Sequence, residues 1–136
     1  MIIIDEVYNL IVEKLKDEVE HISINSSPEL LDDTLVVLNT SDIKEDKDLD
    51  GYITKVSTEL TLDYIGSSEF LDDDPYTSVR KSEEKINKLK EILVSLREEL
   101  SNGLHVEFST ITRPKQEGIV NAQLPLFRFV VALNIN

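Results

Sequence analysis

The chain contains no cysteine among its 136 residues. Disulfides, thiolate nucleophiles and cysteine-based zinc sites are therefore excluded, and the absence suits a reducing cytoplasm. Glycine is scarce: four residues, none clustered, so no phosphate-cradling loop can be built. Gly66-Ser67-Ser68 lacks the second glycine of a nucleophile elbow. The two histidines, His21 and His105, have no partner at metal-ligand spacing and read as ordinary surface residues. No apolar run approaches the roughly 20 residues of a membrane span. Met1-Ile2-Ile3-Ile4 is too short for a signal core and lacks a basic lead, which argues against secretion. Basic charge is scarce as well: 14 Lys and Arg against 27 Asp and Glu leave a net charge of -13. Phosphate neutralisation supplies most nucleic-acid affinity, so a chain this acidic is a poor nucleic-acid binder. Like charge would instead let DNA pass without sticking.

What is present is an ordinary globular composition, 40% hydrophobic and 30% charged, long enough for one domain over residues 1–136 with a real core. Ile3, Val7, Leu10, Ile11, Leu15, Val19 and Ile22 recur at helical spacing and predict an amphipathic helix from about residue 4 to 20. Ser26-Ser27-Pro28 ends it. The apolar start, Met1 to Ile4, is expected to pack within the monomer or against a neighbour. Thr34 to Thr40 is short, apolar and β-branched, which favours a buried strand. Tyr52, Val56, Leu60, Leu62 and Tyr64 then alternate with polar residues in a long half-buried strand. Between the two, the polar run Ser41 to Gly51 ends in the turn signal Asp50-Gly51. A hairpin with a charged, projecting tip is expected.

Asp74 suits an N-cap and Pro75 a first helical residue. Val79, Ser82, Ile86, Leu89, Leu93, Leu96 and Leu100 alternate spacings of three and four, so one apolar stripe runs to a stop at Asn102-Gly103. A helix lying on its own sheet is expected, with Leu89, Leu93 and Leu96 buried. Leu104, Val106 and Phe108 predict a third strand, and residues 113–122 a loop. A final strand places Phe127, Phe129, Val131, Leu133 and Ile135 on one face; Val130 and Ala132 make the other face partly apolar. Pro125 near its start suits an edge. No internal repeat is visible. The fold class is α+β, in the order α-β-β-α-β-β, with a mixed or antiparallel sheet of about four strands and a long helix packed across it.

No residue set announces catalysis. Carboxylates are everywhere, and nothing selects a pair with separated pKa values, so no catalytic residue and no enzymatic activity are expected. Asp46, Asp48, Asp50 and Gly51 match the first half of an EF-hand calcium loop. Its twelfth position, however, holds Ser57 where a bidentate Glu belongs, and both flanks read as strand. No specific metal site and no cofactor are therefore expected; a calcium-dependent binding module using the Asp46–Ser57 loop is the alternative of another class. Charge is uneven. Residues 1–100 carry 25 acidic and 11 basic side chains, whereas residues 101–136 carry Glu107 and Glu117 against Arg113, Lys115 and Arg128. Asp42, Asp46, Asp48 and Asp50 on one side, and Arg113 and Lys115 on the other, are the best-placed patches of opposite sign for a head-to-tail contact.

Over essentially the whole chain, the pattern of helix, hairpin, long second helix and C-terminal hairpin resembles the tail terminator proteins of tailed bacteriophages and phage-tail-like particles. The size, the acidic balance, the MIIIDEVYNLIVEKL helix and the strand ending at Asn136 carry the likeness. That family has no short diagnostic motif, so no residue's role is carried over by position. The resemblance implies a structural virion protein, with no turnover and no cofactor, present in the virion tail and in host cytoplasm during assembly. It implies a homo-oligomeric ring, a hexamer, on the head-proximal end of the tail tube. The ring would end tube polymerisation and join the head, with the tail tube and neck (connector) proteins as partners. DNA would pass through its lumen without specific binding, and no membrane is involved. A phage neck or head-completion protein is the neighbouring alternative.

Overall fold

The structure, a computed structural model, describes residues 3–26 and 29–136. The expected break at Ser27-Pro28 and the apolar residues Met1 and Ile2 lie outside them. In chain order the elements are α1 (Ile3–Leu15), β1 (His21–Ile24), β2 (Thr34–Asn39), β3 (Lys44–Lys47) and β4 (Ile53–Ile65). A 3-10 turn (Ser68–Phe70) follows, then α2 (Pro75–Val94), β5 (Val106–Thr110), β6 (Lys115–Val120) and β7 (Leu124–Ile135). The α+β class is as expected. The strand count and order are not: among the described residues seven strands form one mixed sheet, rather than about four in the order α-β-β-α-β-β.

The sheet is built on two long antiparallel strands, β4 and β7, paired from Val56–Ile135 to Ile65–Leu126. Along the outer edge of β4 lie β2 and β3, end to end. Along the outer edge of β7 lie β5 and β6, also end to end. The parallel strand β1 extends the sheet beyond β2. Pairing puts Leu60 beside Val131 and Leu62 beside Phe129 on one face, where both are fully buried with Leu35, Val37 and Phe108. Helix residues Val7, Ile11, Leu15, Ile86, Leu89 and Leu93 close that core. The opposite face is half-exposed along Val130, Ala132 and Asn134, so the partly apolar side of β7 is not sealed.

Each departure from the expected elements has a local cause. The expected helix over 4–20 ends at Leu15. The Asp33 carbonyl accepts from the N–H groups of Glu20 and His21, which draws residues 21–24 into a strand while Val19 stays buried. The N-cap of α2 is as expected, with Asp74 accepting from Tyr76 N–H and Pro75 in the first turn. Its end is not. Ser95 caps the helix, the Arg97 guanidinium donates to the carbonyls of Val94 and Leu96, and Glu98 O accepts from Val106 N–H. Leu96 and Leu100 remain buried, so the apolar stripe outlasts the helix. Pro125 lies in a central strand, yet β4 ends at Ile65, opposite Leu126. The missing N–H therefore falls where β7 is locally an edge. Gly66 takes over there, donating its N–H to Pro125 O.

No internal repeat is visible in the residue types, but one is present in the ladder. Advancing 71 positions (34 to 105, 65 to 136) carries the Thr34–Ile65 pair onto His105–Asn136, which exchange two backbone hydrogen bonds. The same step carries Lys44–Ser57 onto Lys115–Arg128. Both outer strands break in the same place, between β2 and β3 and between β5 and β6. Both slip register at about the same level, with the extra residue on β4 (Thr54) in the first half and on β6 (Glu117) in the second. Leu60 and Val131 are each other's equivalents and face each other directly, so the approximate two-fold axis passes between them. The helices keep the phase: buried Val7, Ile11 and Leu15 carry onto buried Ser78, Ser82 and Ile86.

Candidate functional site

The acidic patch forms at the turn between β3 and β4. Its carboxylates are placed by a tight, self-bonded tip: Asp48 Oδ1 accepts from the N–H groups of Asp50 and Tyr52, and Asp48 N–H donates to Tyr52 O. Gly51 closes the turn at φ +84°, a conformation glycine adopts without steric cost. The structure thus brings Asp48 and Asp50 together in the turn, with Leu49 wholly exposed at the apex and Tyr52 beside it, whereas Asp46 stands in β3 opposite Lys55. Asp42 lies farther back, in the β2–β3 break, where its carbonyl accepts from Thr58 Oγ1.

This geometry departs from an EF-hand. Strands flank the loop on both sides, and Ser57 sits opposite Lys44 in the ladder, away from the tip. One Asp48 oxygen is committed to the turn. Among the described residues no group of three or more His, Cys, Asp or Glu is placed to hold a metal ion.

The basic residues Arg113 and Lys115 occupy the other break, between β5 and β6. Arg113 is the ladder equivalent of Asp42, and Lys115 that of Lys44. The step from β5 to β6 faces α2, and the two leave a groove of about 570 Å³ lined by Tyr76, Val79, Arg80, Lys90, Arg113 and Lys115 among others. Sequence reasoning missed Arg80 and Lys90, which lie on the exposed side of α2 and join the basic pair only once the helix is laid along β6. Along the sheet the acidic tip lies beyond Ile53, whereas Lys115 is opposite Arg128, itself opposite Asp63. Ten residues of β4 separate those levels, roughly 30 Å at the usual strand rise. The patches therefore stand at opposite corners of the molecule and cannot meet within one chain.

The remaining charged groups with distinct environments are committed to the fold. Arg128 grips Asp63 through two bonds of 2.7 and 3.0 Å across the β4–β7 seam. That hydrogen bonding to the buried carboxylate raises the guanidinium pKa. Burial, then the hydrogen bond it donates to Asp33, pushes the Tyr64 hydroxyl pKa up, so it stays protonated. At the junction of the two halves, the Asp74 N–H and then Lys81 hold the Asp72 carboxyl below its ordinary value. The two histidines lie apart, both exposed, His105 in backbone pairing with Asn136. No helix among the described residues is long and apolar enough to cross a membrane. No protein-family model matches this sequence, and no curated protein matches it.

Proposed function

We propose that this protein is a structural assembly subunit that closes into a head-to-tail ring, a hexamer, on the head-proximal end of a phage or phage-tail-like tube. There it ends polymerisation and offers the surface that joins the neck or connector. It acts by surface complementarity, without turnover or cofactor, in the virion tail and in the host cytoplasm while tails are built. One observation carries this reading: patches of opposite sign stand at opposite corners of one rigid sheet. A ring needs a heterologous interface in which one patch of each subunit meets a different patch of the next. Opposite charge sets register and association rate in such a contact. The surplus of acidic residues supports a lumen through which DNA slides without adhering.

The test is oligomer mass by light scattering, alone and with tube protein, together with tail length by electron microscopy after deletion of the gene. Rings and overlong tails are expected. Tails of normal length that fail to join heads would move the role to the neck. Normal tails joined normally to heads, with a monomeric protein, would end the assembly reading.

A further inference from the structure

Four of the chain's 14 basic side chains collect around the groove between α2 and β6: Arg80, Lys90, Arg113 and Lys115. Glu83 is the one carboxylate lining it. Among the described residues none of the four cations takes part in an ion pair. The groove is not purely polar, since Tyr76, Val79 and Pro114 form apolar wall between the charges, and Tyr76 is 82% exposed. The apex of the β3–β4 turn has the reverse character: Leu49 projects fully between Asp48 and Asp50, with Tyr52 72% exposed at its base. Behind the apex, Lys47 and Lys55, the latter opposite Asp46 in the ladder, flank the strands.

We propose that the β3–β4 tip of one copy seats in the α2–β6 groove of the next. Leu49 lies against Tyr76, Val79 and Pro114, while Asp46 and Asp50 face the groove's cations. This rests on the head-to-tail reading above and names its contact. Charge complementarity selects the occupant. A chain of net charge -13 is a poor partner for nucleic acid, whereas another copy brings the acidic apex itself. The apolar apex adds what ion pairing at a surface lacks, a side chain that leaves water on docking. Tip and groove are not equivalents under the internal two-fold, so the contact is heterologous and propagates from copy to copy.

The chain's lack of cysteine gives a clean cross-linking test at two exposed positions. Leu49→Cys protein mixed with Tyr76→Cys protein should form a disulfide-linked dimer under mild oxidation; neither alone should do so to the same extent. A charge exchange then tests complementarity. Asp46→Lys with Asp50→Lys reverses the tip and spares Asp48, which holds the turn. Arg113→Glu with Lys115→Glu reverses part of the groove. Each double variant alone should lose rings by light scattering, more so at low salt. An equimolar mixture of the two should restore them, because every tip then meets a groove of opposite sign. A merely destabilising substitution would not be rescued by mixing. Rings that persist in both variants, with no Leu49–Tyr76 cross-link, would overturn the contact and leave the ring reading standing. Tails of normal length after gene deletion would remove that reading separately. Salt-sensitive binding of a short single-stranded oligonucleotide, lost in the groove variant and without any cross-link, would also overturn the proposal and assign the groove to nucleic acid.

Discussion

In the first hairpin, β2-β3-β4, the turn stands free, with Leu49 in solvent between Asp48 and Asp50. In the second, β5-β6-β7, the turn is tied down. Asn121 Nδ2 donates to Leu30 O, and Asn121 and Ala122 hold φ +51° and +59°. The inner faces differ in the opposite sense. Thr58 in β4 has Phe129 in β7 as its equivalent, and Val56 has Phe127, all four buried. The helices invert this again: Val7 and Ile11 in α1 stand where α2 has Ser78 and Ser82. One ladder, used twice, thus carries its bulk on the strands in one half and on the helix in the other. The half with the lighter strand face is the one whose turn stands free in solvent.

That comparison is broken most severely at the core of the second half. Phe129→Ala should cost about 3–5 kcal/mol. Its equivalent Thr58→Ala should cost about 1 kcal/mol, the loss of a hydroxyl bonded to Asp42 O. Urea denaturation of the pair reads the asymmetry directly, and equal losses would contradict it. Leu93→Ala should follow at about 2–5 kcal/mol. Leu93 is fully buried in the stretch of α2 whose counterpart in the first half is β1, so only the second half depends on a long helix. A Leu93→Asp variant that melts like the parent would rule that packing out.

Gly66→Ala tests the junction between the halves. A methyl there would stand 2.8 Å from Phe70 Cδ2 and 3.2 Å from Phe127 Cε2, so a loss of about 1–3 kcal/mol is expected from overpacking. Thermal melting of Gly66→Ala beside Gly118→Ala, where nothing lies within 4 Å, isolates the effect. Leu49→Ser should change stability by less than about 0.5 kcal/mol, while weakening assembly. A clear loss of melting temperature would show the tip to be part of the fold.

The smallest effect is expected in acid. The Asp72 carboxyl titrates below its ordinary value of 3.8 because its charged form accepts from Asp74 N–H and Lys81. A lowered folded-state pKa means stability that is present at neutral pH and lost as the pH falls through that lowered value. Asp72→Asn should therefore flatten the acid limb of a melting profile slightly. An unchanged limb would show that the start of α2 does not depend on this charge.

The parts of this fold that were legible in the sequence were those with one wet and one dry face. Alternation exposed β4 and β7, and the three-four stripe exposed α2, because burial had forced those periods. β3 escaped notice because Lys44 to Lys47 is exposed throughout. β6 was hidden by Gly118 and by residues that never reach full burial. β1 was masked by Ile22, which keeps helical spacing with α1 although Asp33 has already turned the chain. The repeat was invisible because equivalents such as Ile11 and Ser82 share burial but not chemistry. At the candidate site, composition marked Asp46 to Asp50 and Arg113 to Lys115. Arg80 and Lys90 read as an ordinary helix surface, since only the packing of α2 along β6 brings them to the same groove.

The direct pairing of Leu60 with Val131, on the axis that exchanges the two hairpins, has an architectural consequence. A chain of half this length, carrying α2 and the second hairpin, could rebuild the same central seam with a copy of itself, Val131 against Val131 and Phe129 against Leu133. The protein is in effect a dimer written as one polypeptide. Fusion frees its two halves from having to stay identical: one can present a free acidic turn and the other a basic groove, a division closed to a true homodimer, in which every substitution is made twice.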